Sequence, residues 1–320
     1  MQDFVAEVAD GVFCIDTGYQ RPRFDAAFLV VQSGRAAFID TSTNYAVPRL
    51  LAALEFAGLT PDCVDWVIPT HVHLDHAGGV GTLMQALPRA RLLAHPRGLR
   101  HLIDPRVLWA GASAVYGAEE MQRSYGRLIP VPAARGEAVT DGQIVKVGGR
   151  ELLILDTPGH ALHHICIWDA KTRGFFTGDT FGLSYREFDT AKGPWILPTS
   201  SPVQFDPEAM KTSVCRMLAF DPQWLYLTHY GRVGDVQRLG RLMVETIDAT
   251  VALSLPLRHA DQRHERLKAA LRGLYLEQLE AHGCMLAPEV QMQLLSMDVE
   301  LNAQGLEIWL DKAQGSRPSS

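Results

Sequence analysis

Residues 71–76 read HVHLDH, so that His71, His73, Asp75 and His76 fill four of six consecutive positions. All four side chains can bind a metal ion. A lone histidine, in a chain of 320 residues holding twelve of them, is usually structural. The pattern His-x-His-x-Asp-His, by contrast, arises by chance in such a composition roughly once in a thousand chains. Its placement adds weight. It follows VDWVIPTH (64–71), an apolar run that reads as a strand, and loops at strand ends carry function over a rigid support. Residues two apart on an extended segment point the same way, so His71 and His73 can converge on one ion. Asp75 and His76 come as the chain turns toward Gly78-Gly79 and can face a second. The spacing does not fit HExxH, whose histidines lie four apart on a helix.

Three further segments repeat the setting. Thr157-Pro158-Gly159-His160 ends the strand-like ELLILD, Thr177-Gly178-Asp179 ends GFF, and Leu227-Thr228-His229 ends WLYL. Each places one metal-capable residue just past an apolar run. Two have glycine immediately before it, where a sharp turn or close approach is tolerated. Taken singly, each reads as an ordinary turn. Together with the first cluster they supply five histidines and two aspartates on strand-end loops.

Outward from these loops, the first two-thirds alternates short apolar runs with turn residues. VFCIDTG (12–18), AAFLVVQSG (26–34) and AAFIDTS (36–42) predict a meander. GQIVKVGGRELLILD and HICIWDAKTRGFFTGD predict two hairpins, and AVPRLLAALEFAG (46–58) a helix. DPEAMKTSVCRMLAF (206–220) predicts another. Beyond about residue 234 three helical patterns follow with no strand between them. The expected organisation is a mixed α/β body over 1–233 and a helical segment over 234–320, closing in a frayed tail, AQGSRPSS. That helical segment could act as a substrate cap or, through an exposed apolar stripe, join two copies in a homodimer.

Composition narrows the function. Hydrophobic residues make up 47% and charged residues 21%, an ordinary globular balance. The net charge of −6 offers no basic footprint for nucleic acid. No run of about 18 apolar residues predicts a membrane span. Five scattered cysteines without a CxxC, and an N-terminus without a secretion pattern, point to the cytoplasm.

HVHLDH, then PGH, then GD, then a late THYG resemble the metallo-β-lactamase superfamily in order and spread, over roughly residues 10–232. The resemblance implies an αββα fold: two packed sheets, helices on both outer faces, and a site at one edge. It implies two divalent metal ions, with His71, His73 and His160 on one, Asp75, His76 and His229 on the other, and Asp179 bridging. Imidazole and carboxylate suit zinc first, and also iron or manganese. The implied reaction is attack of a metal-bridging hydroxide on an ester, thioester or lactone carbonyl, with Asp75 orienting the hydroxide or passing a proton. The chain further resembles the glyoxalase II and quinolone-signal thioesterase branches, which also carry helical C-terminal segments. Glyoxalase II's glutathione-binding residues have no counterparts that can be placed in 234–320. A second reading is a binding or signalling protein that keeps the scaffold with little turnover.

Two stretches lack a clean repeat. Residues 181–205 carry Phe181, Tyr185, Phe188 and Trp195; residues 105–127 carry Trp109, Tyr116 and Tyr125. Their aromatics either wall an apolar substrate pocket or anchor loops to the core. Tyr185 and Tyr230 are candidates to hydrogen-bond a substrate carbonyl. His163 and His164, next to His160, are expected to support ligands or lie on the surface.

Overall fold

The computed structural model describes residues 3–200 and 203–315. Residues 316–320 of the expected tail, and the side chains of residues 313–315, lie outside the described set, as does the side chain of Tyr116. The chain forms two compact units: Met1–Asp156, His163–Gly178 and Pro222–Gly234 in the first, Thr157–Leu162, Asp179–Asp221 and Asp235–Ser320 in the second. A seam falls at Gly234, but the stretches after two strands of the first unit group with the C-terminal helices rather than with the α/β body.

The first unit contains two sheets. Strands β1 (Val5–Ala9), β2 (Val12–Asp16), β3 (Ala26–Gln32), β4 (Arg35–Ile39), β5 (Val64–Ile68), β6 (Arg91–Ala94) and β7 (Gly136–Ala138) lie side by side in sequence order. The second sheet runs in reverse order through β8 (Ile144–Val147), β9 (Arg150–Asp156), β10 (Ile165–Asp169), β11 (Gly174–Gly178), β12 (Trp224–Leu227) and β13 (Gly231–Val233). The meander and both hairpins are as the sequence predicts. Strand β1 is not, because VAEVA is too short and polar to declare itself; its pairing with β2 makes it a strand.

Alternation decides which face each side chain takes. Val12, Phe28, Val30, Ala37 and Ile39 join Ile154, Ile165, Ile167 and Phe176 in the core between the sheets. Phe13, Ile15, Leu29 and Phe38 point the other way, into a core with Val47, Leu50 and Leu54 of helix α1 (Val47–Phe56) and Leu83 of α3 (Val80–Ala86). Between α1 and α3 in the chain lies the one-turn helix α2 (Leu74–Ala77), which begins inside the HVHLDH motif. The β8–β9 turn needs Gly148 and Gly149, both at positive φ, where a Cβ on Gly148 would sit 1.9 Å from the Gln32 carbonyl oxygen.

Residues 105–127 are not irregular. After α4 (Pro96–Ile103) they form α5 (Arg106–Tyr116) and α6 (Ala118–Ser124), broken at Gly117 with φ +83°. Short helices hinged on glycine leave too few turns for a periodic signal.

The second unit holds α7 (Pro207–Leu218), α8 (Val236–Ser254), α9 (Arg263–His282), α10 (Pro288–Leu294) and α11 (Ser296–Gly315). Asp206 caps α7 by accepting from the Ala209 amide at 3.0 Å. Leu267, Leu271, Tyr275 and Leu279, four apart, form the buried stripe of α9, which packs on α11. The third helical pattern breaks at Leu295 into α10 and α11 rather than running through. Among the described residues of 181–205 there is one short turn of helix, Arg186–Phe188, and two isolated bridges. Their aromatics are fully buried; Phe188 meets Trp195 edge-on, and Trp195 meets Tyr275 of α9. Within this unit they act as anchors.

Candidate metal centre

Strand β5 ends at Ile68, and the chain bends at Thr70 and His71 before α2 begins. His71 Nε2 and His73 Nδ1 stand 2.9 Å apart across this bend, rather than along an extended segment. On the turn of helix that follows, Asp75 and His76 project toward His229, which lies just past β12. Ligand atoms of Asp75, His76 and His229 all fall within 4.8 Å of one another, although more than 150 positions separate His76 from His229. His229 Nε2 is 3.5 Å and His76 Nε2 4.0 Å from the Asp75 carboxylate. Nitrogen ligands on one zinc, each about 2.0–2.1 Å from it, stand roughly 3.3 Å apart in a tetrahedron, so these separations suit a shared cation.

The tautomers fit as well. His76 Nδ1 donates to Asp40 Oδ2 at 2.8 Å, and His229 Nδ1 donates to the Phe24 carbonyl at 2.9 Å. His71 Nδ1 meets the Thr70 hydroxyl at 3.2 Å. A histidine whose Nδ1–H is held this way presents Nε2 as an acceptor, and metal-ligating histidines are oriented by the same kind of outer hydrogen bond.

Sequence reasoning missed Asp40. It is 1% exposed, and it also accepts from the Thr70 amide at 2.7 Å, the Thr70 hydroxyl at 3.0 Å and the Thr228 hydroxyl at 2.8 Å. One carboxylate thus braces the residues preceding His71 and His229 together with His76 itself. The signal was available, because Asp40 ends β4 as Asp179 ends β11. Asp25 was missed too. It is wholly buried and accepts from the Thr17 hydroxyl at 2.6 Å. Burial pushes its carboxyl up to about 7, with His229 pulling it down and Asp75 adding to the rise.

Gly178 precedes Asp179 for a steric reason. At φ +46°, a Cβ there would lie 2.5 Å from Thr70 Oγ1 and 2.6 Å from His164 Nε2. His163 and His164 are not surface residues: the His164 ring lies 4.9 Å from that of His71, and the His163 ring 5.8 Å from that of His73.

The second unit carries His160 and Asp179. His160 follows the end of β9 by four residues, and Asp179 follows β11 directly. His160 Nε2 lies 3.5 Å from Asp179 Oδ2, and its Nδ1 donates to the Thr199 carbonyl at 3.2 Å, the same Nδ1-held tautomer as His76 and His229. Tyr185 is fully buried, and its hydroxyl donates to Asp298 Oδ1 at 3.0 Å. That geometry ties the Tyr185 hydroxyl, the candidate for a substrate carbonyl, to Asp298 within this unit. Tyr230 is partly buried against the core between the sheets.

Residues 9–229 match the metallo-beta-lactamase superfamily, and the chain belongs to that family. It is 31% identical over 117 residues to an atrochrysone carboxyl ACP thioesterase of Aspergillus fumigatus, covering 37% of this chain. It is 25% identical over 201 residues to a hydroxyacylglutathione hydrolase of Rhodospirillum rubrum, covering 60% of this chain. The matched segments span 27% and 64% of those two relatives' own lengths. The crystal structure of a metallo-beta-lactamase family protein from Thermus thermophilus superposes with a TM-score of 0.68 at 18% identity, covering 98% of this chain and 97% of that one. At that identity the likeness speaks for the fold, two sheets with helices and a helical C-terminal segment. Among the described residues no helix is long and apolar enough to cross a membrane.

Proposed function

We propose that this protein is a dinuclear metal-dependent hydrolase acting on an ester, thioester or lactone, with thioesters and esters ranked first. The reading rests chiefly on one observation: Asp75, His76 and His229 converge their ligand atoms, with the two histidines locked through Nδ1. We assign His71, His73 and His160 to one cation, Asp75, His76 and His229 to the other, and Asp179 to both. The His160–Asp179 pair, with its matching tautomer, supports that assignment. Zinc suits the ligands best, with iron or manganese as substitutes. Bound there, the cations would lower the pKa of water from 15.7 toward about 7 and polarise the carbonyl.

The chain's own residues do the rest. Asp40 fixes the orientation of His76, and the backbone at Phe24 fixes His229. Asp75, with a side chain 28% exposed beside two buried histidines, is the carboxylate that substrate can reach. It is the group placed to hold a proton and release it to the leaving group. The names of the relatives, a thioesterase and a glutathione thioester hydrolase, favour a thioester. The scattered cysteines favour a cytoplasmic setting.

The test is metal analysis of unchelated protein together with turnover of aryl ester, lactone, acyl-CoA and glutathione thioester substrates. Two equivalents of transition metal and hydrolysis of at least one class are expected. Two metals without turnover on any of them would move the protein to the binding or signalling reading, and absence of metal would remove the hydrolase reading outright.

A further inference from the structure

His160 is held by two different elements of the second unit. Its backbone is set by α7: the Asp206 amide donates to the Gly159 carbonyl at 2.8 Å, and the Ser213 hydroxyl donates to the Pro158 carbonyl at 2.7 Å. Gly159, at φ +136°, permits that approach, because a Cβ there would lie 2.3 Å from the Met210 Cα. The ring is set elsewhere. His160 Nδ1 donates to the Thr199 carbonyl, so the direction of Nε2 depends on where residues 198–200 run.

One buried side chain brackets those residues. Asn302, on α11, accepts from the Ser200 amide at 2.7 Å through Oδ1 and donates from Nδ2 to the Pro198 carbonyl at 3.1 Å, gripping the chain on both sides of Thr199. The Ser200 hydroxyl donates to the Asn302 carbonyl at 3.1 Å. Nδ2 also donates to the Tyr275 hydroxyl of α9, at 2.9 Å. A carboxamide offers one acceptor oxygen and two donor hydrogens, and here each has a partner. Just upstream, Leu197 exchanges backbone hydrogen bonds of 2.9 and 3.0 Å with Leu183, in the stretch that follows Asp179.

We propose that Asn302 is a positioning residue for the metal centre: through the Thr199 carbonyl, the C-terminal helices orient the His160 ring for its cation. This gives the helical segment a task other than capping substrate or joining two copies. It rests on the assignment of His160 to a cation in the hydrolase reading above. Asn302 acts only through the main chain of 198–200, and the bond to Tyr275 serves α9 and α11 packing alone.

The experiment uses the full chain loaded with zinc. Zinc release is followed through a graded chelator series, and the urea midpoint of the chelated protein is measured alongside. In Asn302→Ala one of the two zinc equivalents should bind about tenfold more weakly, the low end of what an outer partner of a ligand is worth, and the other within about twofold of wild type. Ser200→Ala, which removes only the hydroxyl bond, should shift the same equivalent by less and carries the test if Asn302→Ala does not fold. Tyr275→Phe deletes a partner of the same carboxamide but leaves its grip on 198–200. It should lower the urea midpoint with both zinc equivalents unchanged. If neither Asn302→Ala nor Ser200→Ala moves one equivalent selectively, or if Tyr275→Phe moves it equally, Asn302 serves packing and the proposal falls. A selective shift in a protein that hydrolyses nothing would sink the hydrolase reading and leave the positioning role standing. Hydrolysis with unshifted zinc would do the reverse.

Discussion

Asp40 and Asp298 are both buried carboxylates, one in each compact unit, and they do different work. Asp40 gathers Thr70, Thr228 and His76, three residues from two strand-end loops; the two threonines each precede a proposed ligand and His76 is one itself. Asp298, on α11, accepts from Tyr185 and so closes an irregular stretch onto a helical core. Burial of a polar group is common to both, and buried polar groups are normally paired for stability alone. What separates the regions is where the paired side chains aim: His76 turns its second nitrogen toward Asp75 and His229, whereas Tyr185 has only one hydroxyl and gives it to Asp298.

The most severe way to break the comparison is to take the metal away. Chelation followed by desalting should reduce hydrolysis by at least about 1,000-fold, because both water activation and carbonyl polarisation go with the ions. Readdition of zinc should restore it. Melting temperature should fall with chelation too, since a ligand bound only by the native state stabilises it. An unchanged melting curve in chelator would mean that the convergent histidines hold no ion.

Asp40→Ala comes next. It leaves the His76 Nδ1–H and two threonine hydroxyls without their shared acceptor and frees the His76 ring to rotate. Loss of such an outer partner typically costs 10–100-fold in metal affinity or activity. The check is metal content after dialysis against a graded chelator series, with turnover alongside. If Asp40→Ala keeps full affinity, the carboxylate serves packing as Asp298 does, and the contrast between the two units disappears.

How much of this was legible beforehand follows from the physics of each part. The ligand loops could be read because their residue types are rare and crowd into six positions at the end of an apolar run, both local properties. The strands could be read because apolar runs bounded by glycine and aspartate have few other uses. Asp40 escaped because its role is defined by partners 30, 36 and 188 positions away. Helices α5 and α6 escaped because eleven and seven residues split by Gly117 show no sustained period. The aromatics of 181–205 suggested either a pocket wall or an anchor, and sequence alone has no means of telling a ring that lines a cavity from one that fills it.

Tyr185→Phe sharpens the comparison from the other side. Removing the hydroxyl leaves the buried Asp298 without that donor, at a cost of about 1–3 kcal/mol. Urea denaturation should show the loss in the midpoint. Hydrolysis by the folded fraction should stay within about twofold. A selective fall in kcat with unchanged stability would instead restore the substrate-binding role first expected for Tyr185.

The smallest effect lies on the surface of the helical unit, where charge is arranged for pairing and not for ligation. Glu300 on α11 takes hydrogen bonds from Lys268 at 2.8 Å, from Gln304 at 2.9 Å and from His264 at 2.9 Å, while the other His264 nitrogen faces Glu307. Two nitrogens of one ring facing two different carboxylates make a clamp between α9 and α11, the opposite of ligand atoms converging on a point. Lys268 first, then Gln304, hold the Glu300 carboxyl down to about 2 from an ordinary 4.5. With the native pKa depressed, the unfolded chain takes the proton first, so this stabilisation is complete above about 4.5 and is lost as pH falls toward 2. Because the side chain is 38% exposed, solvent screening limits it to under about 1 kcal/mol. Glu300→Gln should therefore flatten the acid limb of melting temperature against pH between about 4.5 and 2, with metal content unchanged at neutral pH. A variant that kept the full acid slope would show that other carboxylates, those of the metal loops first among them, set the acid sensitivity of the chain.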